Sequence, residues 1–241
     1  MRFLTIISLF ILISCNKPDA PDCFKQNGKT VTIERKLESF KALKSDAHID
    51  IVIANSNEYK AEITGPANLL DKVDLSVNSN TLVVENKNSC NFVRGYKQSI
   101  SIKIYAPKYD FVVANSVGNI STTPDFNQDT LVVRSEGGDF YIYGNYNEIR
   151  TSSHGNGNMY LRCNMNRLYV YMNGTNYLYA NEANIASFVF IESISVADAY
   201  IKAPESGTLL YNIWKSGSIY YTGNPQSVDG IISGKGTVVK K

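Results

Sequence analysis

The sequence has little histidine, little proline and almost no net charge, and its body contains no long apolar run. Its 241 residues include 2 His, 7 Pro, 4 Cys and 1 Trp, and 24 Lys+Arg against 22 Asp+Glu give a net charge of +2. A charge so close to zero argues against a surface that binds nucleic acid through its phosphates. The absence of long amphipathic helical patterns argues against a helical fold.

The composition instead indicates a globular protein rich in strands. Hydrophobic residues make up 44% of the chain and charged residues 19%, which is enough apolar material for a sizeable core. Tyrosine is unusually frequent at 16 residues, and aromatic side chains favour strands.

The first fourteen residues are typical of an export signal. Met1-Arg2 precedes an apolar run from Phe3 to Ile13, which is shorter than the roughly 17 to 25 residues that span a bilayer as a helix. Ser14 then precedes Cys15 in the pattern of a bacterial lipobox, whose Cys thiol receives a diacylglyceryl group. We therefore predict a signal peptide over 1–14 and a lipidated Cys15. An ordinary secretory signal with an incidental Cys is the alternative.

A short tether and one disulfide are expected after this anchor. Residues 15–29 are polar and contain two prolines in the segment NKPDAPDCFKQN. Export places the chain in an oxidising compartment, and Cys23 and Cys90 both lie in loop-like segments, so we predict that they pair and leave Cys163 free. A zinc site is disfavoured because no two cysteines are close in sequence and the histidines are only His48 and His154.

Residues 30–107 read as a succession of short strands. Apolar and polar residues alternate in six runs separated by turn-forming residues, and only residues 67–72 suggest a helical turn. The runs are TVTIERKL, HIDIVIA, EYKAEIT, DKVDLSV, TLVVEN and SISIKIYAP.

A repeat of about 20 residues organises residues 108–241. Each unit contains two short apolar runs with a polar turn between them, as in TLVVRSEGGDFYIYG. Such a period predicts a parallel β-solenoid whose coils stack about 4.8 Å apart. An antiparallel meander or barrel is the alternative, because Asn173-Gly174 also suits a hairpin turn. The units begin near Tyr109, Thr130, Glu148, Leu168, Phe188, Leu209 and Asp229.

Five segments of the chain are characteristic: the lipobox, Asp22-Cys23-Phe24-Lys25 with Gly28, Cys90-Asn91-Phe92-Val93-Arg94 before SISIKIYAP, Gly118-Asn119-Ile120, and SGSIYYTGNP at 216–225. On these segments the chain resembles the putative autotransporter adhesin, head GIN domain family, whose members are mostly lipoproteins of Bacteroidetes. The resemblance implies a right-handed β-helix and a role as an adhesin or in the cell envelope. It implies no catalytic activity.

The acidic residues do not predict an active site. Polysaccharide lyases and hydrolases need clustered carboxylates, whereas the acids here form no column at the repeat period. Ser152-Ser153-His154 has no acidic partner nearby in sequence. We therefore expect no catalytic residues, no metal and no cofactor, with a carbohydrate-active enzyme as the alternative. The acids considered are Glu136, Asp139, Glu148, Glu182, Glu192 and Asp198.

Tyrosines recur beside inward-facing aliphatic residues in successive units. Side chains alternate along a strand, so burying the aliphatics places these tyrosines outside, where stacked coils align them. The aligned rings are a candidate binding face for a glycan or a protein. The alternative is a column that only stabilises the sheet, with a homo-oligomer contact covering it. The residues are Tyr141, Tyr160, Tyr177, Tyr200 and Tyr220.

The sequence thus predicts an exported, lipid-anchored β-solenoid that binds or supports rather than catalyses. Its expected location is the outer membrane or cell surface, with the side of the membrane left open. We expect it to contact the membrane through the lipid and to bind a glycan or an envelope protein. We do not expect it to bind nucleic acid. Whether it forms a homo-oligomer is left open. The predicted divisions are 1–14, 15–29, 30–107 and 108–241.

Overall fold

The computed structural model describes residues 28–89 and 100–241. The predicted signal peptide, the lipidated Cys15, residues 15–27 of the tether and the Cys23–Cys90 disulfide therefore lie outside the described residues and stay predictions. The description begins at Gly28, just before the first strand.

The described residues form nineteen strands and one short helix. All six predicted runs of the first part contain a strand, and the predicted helical turn is α1. The elements are β1 (Thr30–Lys36), β2 (Ala42–Ser45), β3 (Asp50–Asn55), β4 (Lys60–Pro66), α1 (Ala67–Leu70), β5 (Val73–Asn78), β6 (Thr81–Asn86), β7 (Ser101–Ala106), β8 (Phe111–Ala114), β9 (Ile120–Thr122), β10 (Asn127–Ser135), β11 (Phe140–Gly155), β12 (Met159–Gly174), β13 (Leu178–Ala180), β14 (Asn184–Ser195), β15 (Ala199–Lys202), β16 (Thr208–Ile213), β17 (Ile219–Thr222), β18 (Ser227–Ile232) and β19 (Val238–Lys240).

The strands build a parallel β-solenoid, as the 20-residue period predicts. One ladder runs β5-β6-β2-β8-β10-β11-β12-β14-β16-β18, and the other runs β1-β4-β7-β3-β9-β11-β12-β13-β15-β17-β19. The long strands β11 and β12 contribute to both ladders because each continues around a corner. Every pairing from β8 to β19 is parallel, so the antiparallel meander is wrong.

The order of the first coils in space differs from their order in the chain. The coil of β2 and β3 lies between the coil of β6 and β7 and the coil of β8 and β9. The chain therefore forms one coil, adds a second on one side of it, and crosses back to continue on the other side.

Antiparallel strands cover the N-terminal end of the solenoid. Strand β5 pairs with β6, β4 pairs with β7, and β1 pairs with β4, all antiparallel. These strands occupy the backbone groups that a terminal parallel coil would otherwise expose, which protects the edge from further pairing.

The core consists of columns of inward-facing side chains. Leu131, Ile149, Leu168, Val189 and Leu209 align in register and are fully buried. A second internal column contains Phe40, Tyr109, Phe126 and Tyr146, whose successive ring centroids lie 5.9 Å apart. One coil buries too few apolar side chains to fold alone, so the coils stabilise one another.

Candidate functional site

A column of five stacked tyrosines runs along the outer surface of the second ladder. The strand register brings one ring from each of five successive coils to the same position. Successive ring centroids lie 4.7, 4.9, 5.6 and 5.3 Å apart, with interplanar angles between 3° and 13°. We call this feature the tyrosine column; its members are Tyr141, Tyr160, Tyr179, Tyr200 and Tyr220.

The prediction that Tyr177 belongs to this column is wrong. The structure aligns Leu178 with Met159 and Ala199, so the residue that follows Leu178, Tyr179, joins the column. The prediction treated Leu178 as the counterpart of Leu161. Ala180 follows Tyr179 as Leu161 follows Tyr160, and its small side chain hid this alignment in the sequence.

Tyr177 instead occupies a column of turn residues. The Asp139 side chain accepts a hydrogen bond from the backbone N–H of Asn158 at 2.7 Å, and Asn158 Oδ1 accepts one from the N–H of Tyr177 at 2.8 Å. The Tyr177 ring lies 5.9 Å from that of Tyr179, beside the tyrosine column. In the segment NYLYA, Tyr177 therefore lies at a corner, whereas Tyr179 lies in strand β13.

Stacking determines which parts of the tyrosines meet solvent. The ring faces inside the column lie against one another, so ring edges and phenol hydroxyls point outward. Burial raises the pKa of Tyr141, Tyr160 and Tyr200, and the charge of Asp139 or Asp198 raises it further. The hydroxyls of these three tyrosines therefore keep their protons at physiological pH and can both donate and accept hydrogen bonds.

A groove of about 300 Å³ lies at the C-terminal end of the tyrosine column. Tyr179, Tyr200, Tyr220 and Tyr221 line it together with Lys241. The Lys241 ammonium lies 4.2 Å from the centroid of Tyr220 and 5.6 Å from that of Tyr200, which are cation–π distances. We call this feature the tyrosine groove. Its aromatic lining and its few polar groups are typical of a ligand site.

A second depression of about 640 Å³ lies on the short face between the two ladders. The sequence analysis missed it, although Asn145-Tyr146-Asn147 and Asn164-Met165-Asn166 repeat an N-x-N pattern 19 residues apart. We call it the asparagine depression. Its rim carries Asn145, Asn164, Asn166, Asn184, Lys202 and Glu205.

Each of the six acidic residues that were catalytic candidates forms an ion pair or a hydrogen bond with a neighbouring residue. Glu148 is the most buried, and its carboxylate contacts Arg150 at 2.5 Å and Arg167 at 3.1 Å. Asp139 and Asp198 accept hydrogen bonds from backbone N–H groups of the next coil. The other three are partnered as follows: Glu136 with Arg134, Glu182 with Arg162, and Glu192 with the indole N–H of Trp214.

The ring of His154 contacts a serine and a tyrosine. His154 Nε2 lies 2.7 Å from the Ser152 hydroxyl, and its ring packs 5.3 Å from that of Tyr171. Within residues 28–89 and 100–241, no three His, Cys, Asp or Glu side chains come together to hold a metal ion.

A parallel β-solenoid with outward aromatic and amide columns is a repeat architecture in which each coil contacts only its neighbours. The chain belongs to the family described as putative auto-transporter adhesin, head GIN domain, which it matches over residues 39–225. The resemblance seen in the sequence is thereby confirmed. The family indicates an extracellular or cell-surface protein, and its description names an adhesin rather than an enzyme.

Solved structures of similar proteins share the fold. A putative adhesin from Bacteroides fragilis NCTC 9343 is 22% identical, with 88% of this chain and 97% of that chain covered and a TM-score of 0.67. A putative adhesin from Parabacteroides distasonis ATCC 8503 is 17% identical, with 89% and 98% covered and a TM-score of 0.69. A putative lipid binding protein from the same organism is 17% identical, with 90% and 98% covered and a TM-score of 0.60.

Two further searches, one for curated relatives and one for membrane-spanning helices among the described residues, found no match. No curated protein matches the chain. In the part of the chain that the structure describes, no helix has the length and apolar character needed to span a bilayer.

Proposed function

We propose that this protein is a lipid-anchored, non-catalytic binding module of the bacterial cell envelope. The observation that carries the proposal is the tyrosine groove, where four aromatic side chains and one lysine converge on a cavity of ligand size. Family membership supports an adhesin at the cell surface. The export signal and the Ser14-Cys15 lipobox support the anchor.

The geometry of the tyrosine column limits how a ligand contacts it. Inside the column, stacking covers the ring faces, so a ligand there meets ring edges and hydroxyls. Beyond Tyr220 the stack ends, and the groove there offers aromatic surface together with the Lys241 ammonium. A glycan with polar substituents, or a loop of an envelope protein, fits this combination better than a purely apolar ligand.

A carbohydrate-active enzyme is the less favoured function. A glycosidase or lyase needs carboxylates that are free to act on a substrate. The six acidic candidates instead form ion pairs or accept structural hydrogen bonds. Their arrangement is that of residues that stabilise turns and sheet faces.

The binding test uses the chain from Cys15 onward, with Cys15→Ser to prevent lipidation. The double variant Tyr200→Ser/Tyr220→Ser should lose those glycan-array ligands that bind through the tyrosine groove, and should adhere less to cells. Tyr171→Ser, which removes a tyrosine from the other ladder, is the matched control and should bind normally. Equal binding by the two variants, or no binding by the parent chain, would refute the groove as the binding site.

The same proteins separate a glycan ligand from a lipid ligand. A parallel assay measures sedimentation with vesicles of neutral and of anionic phospholipid. Binding to vesicles that disappears in Tyr200→Ser/Tyr220→Ser would transfer the function to lipid binding, the property in the name of the Parabacteroides distasonis structure. Binding to glycans alone supports the adhesin.

The anchor is tested separately in the full chain. Wild-type protein should be found in the membrane fraction and should carry a diacylglyceryl adduct on Cys15, detected by mass spectrometry. Cys15→Ser should move to the soluble fraction. A wild-type chain that is cleaved elsewhere and carries no lipid would support the ordinary secretory signal. Protease treatment of intact cells then decides whether the body faces outward.

A further inference from the structure

The asparagine depression has the chemistry of a second ligand site, distinct from the tyrosine groove. It lies over the middle of β11 and β12 and the start of β14, between the segments that form the two ladders. The inference goes beyond the proposed function because it does not rest on the tyrosine groove.

A ladder of side-chain hydrogen bonds forms the rim of the depression. Asn164 Nδ2 donates to Asn145 Oδ1 at 2.8 Å, and Asn184 Nδ2 donates to Asn164 Oδ1 at 2.9 Å. Lys202 Nζ ends the ladder by donating to Asn184 Oδ1 at 3.1 Å. A second, looser column lies two residues further along, where Asn166 Nδ2 donates to Asn147 Oδ1 at 3.3 Å.

The ladder fixes the amides while using only part of their hydrogen-bonding capacity. A primary amide has two N–H donors and a carbonyl oxygen with two lone pairs. Asn164 spends one donor and one acceptor site within the ladder, so one N–H and one lone pair remain for a ligand. Because all five asparagines are exposed, these free groups form an ordered array of alternating donors and acceptors at the spacing of the coils.

Apolar side chains of the core lie beneath the amides of the depression. Met165 and Ile185 lie between the amide positions and are 4% and 7% exposed, and Tyr146 lies beside them. The charged groups on the rim are one lysine and one glutamate, Lys202 and Glu205, which give the site no net charge. The balanced charge and the exposed amides favour an uncharged ligand with many hydroxyls.

We propose that the asparagine depression binds a neutral glycan chain that lies along the solenoid axis. Each sugar hydroxyl can both donate to and accept from a planar amide. The repeat of the coils matches a ligand that is itself a chain of similar units. A depression of about 640 Å³ accommodates a short run of sugars.

The test compares variants of the non-lipidated chain in affinity electrophoresis through gels that contain neutral polysaccharides, namely mannan, dextran, galactomannan and xyloglucan. Asn147→Ala/Asn166→Ala removes the looser column, and Asn164→Ala interrupts the main ladder. Both should weaken retention about tenfold or more, equivalent to the loss of one or two good contacts. Asn156→Ala, on an exposed turn away from the depression, is the control and should be retained like wild type.

Two additional measurements keep the outcomes separate. The melting temperature of Asn147→Ala/Asn166→Ala should equal that of wild type, since its hydrogen bond is long and exposed. Tyr200→Ser/Tyr220→Ser should keep its retention by neutral polysaccharides. The proposal is overturned if no neutral polysaccharide retains the wild-type chain, if the asparagine variants are retained equally, or if only acidic gels containing alginate or heparin retain the protein.

Discussion

The phenol rings of Tyr141 and Tyr160 lie 4.7 Å apart between centroids and within 3° of parallel. This pair is the most closely stacked of the tyrosine column. Tyr160 contacts a second ring on its other side, that of Tyr179 at 4.9 Å. The column therefore links successive coils on the outside of the sheet, just as the aliphatic columns link them on the inside.

Replacing Tyr160 by Ser should destabilise the protein measurably. Two ring–ring contacts are lost, each contributing about 0.5–1.5 kcal/mol, so we expect a loss of about 1–3 kcal/mol in the free energy of unfolding. Urea denaturation followed by circular dichroism measures it. Tyr160→Phe keeps both stacks and should unfold close to wild type. Equal stability of the Ser and Phe variants would show that stacking contributes nothing.

Adjacent glycines at one corner should respond very differently to alanine. A Cβ on Gly138 would lie 2.1 Å from the carbonyl oxygen of Gly118, whereas a Cβ on Gly137 would lie 3.8 Å from its nearest neighbour. Gly138→Ala must push two stacked coils apart and should cost several kcal/mol. Gly137→Ala should leave the urea midpoint almost unchanged. Similar midpoints for both variants would contradict the close approach of the coils.

The buried thiol of Cys163 should give stability a specific dependence on pH. Burial raises the pKa of Cys163 to about 12, while an unfolded thiol titrates near 8.5. Between these values the native thiol keeps a proton that the unfolded thiol has lost, so stability falls as pH rises through this window and is unaffected below it. Cys163→Ala should show a smaller fall between pH 8 and pH 11 in urea denaturation. An identical fall in both proteins would count against a buried thiol.

Alkylation followed by mass spectrometry tests the predicted Cys23–Cys90 disulfide. In the lipidated chain, iodoacetamide should modify no cysteine under native conditions, because Cys163 is buried. Denaturation without reductant should allow one modification, at Cys163, and reduction should raise the number to three. Three modifications without reductant would show that Cys23 and Cys90 do not pair. Modification of Cys163 in the native protein would contradict its burial.

The sequence pattern predicted most, but not all, of the residues in the tyrosine column. Four of its five members were predicted because a strand alternates its side chains and the unit repeats, which are properties of neighbouring residues. The fifth, Tyr179, was missed because Tyr177 and Tyr179 flank Leu178 on both sides, so alternation alone fits either one. The register between coils places Tyr179, and not Tyr177, in the column. That register depends on pairing with residues about 20 positions away in the chain.

The asparagine depression was missed for a related reason. Asn145 and Asn164 read as ordinary turn residues, since asparagine is common wherever a chain bends. Only stacking shows that their amides meet and bond at 2.8 Å. The N-x-N pattern that recurs after 19 residues is visible in the sequence. It predicts adjacent amides only once the coils are known to stack in register.

The sequence by itself determined the architecture, because alternating runs at a constant period can bury their apolar faces only by stacking. It also determined which side chains face outward. The tertiary structure alone decided the order of the coils, with β2 and β3 between β6–β7 and β8–β9. Coils pair through backbone hydrogen bonds that any coil can offer, so the choice of neighbour depends on packing at the corners and on the antiparallel cap, which no local pattern records.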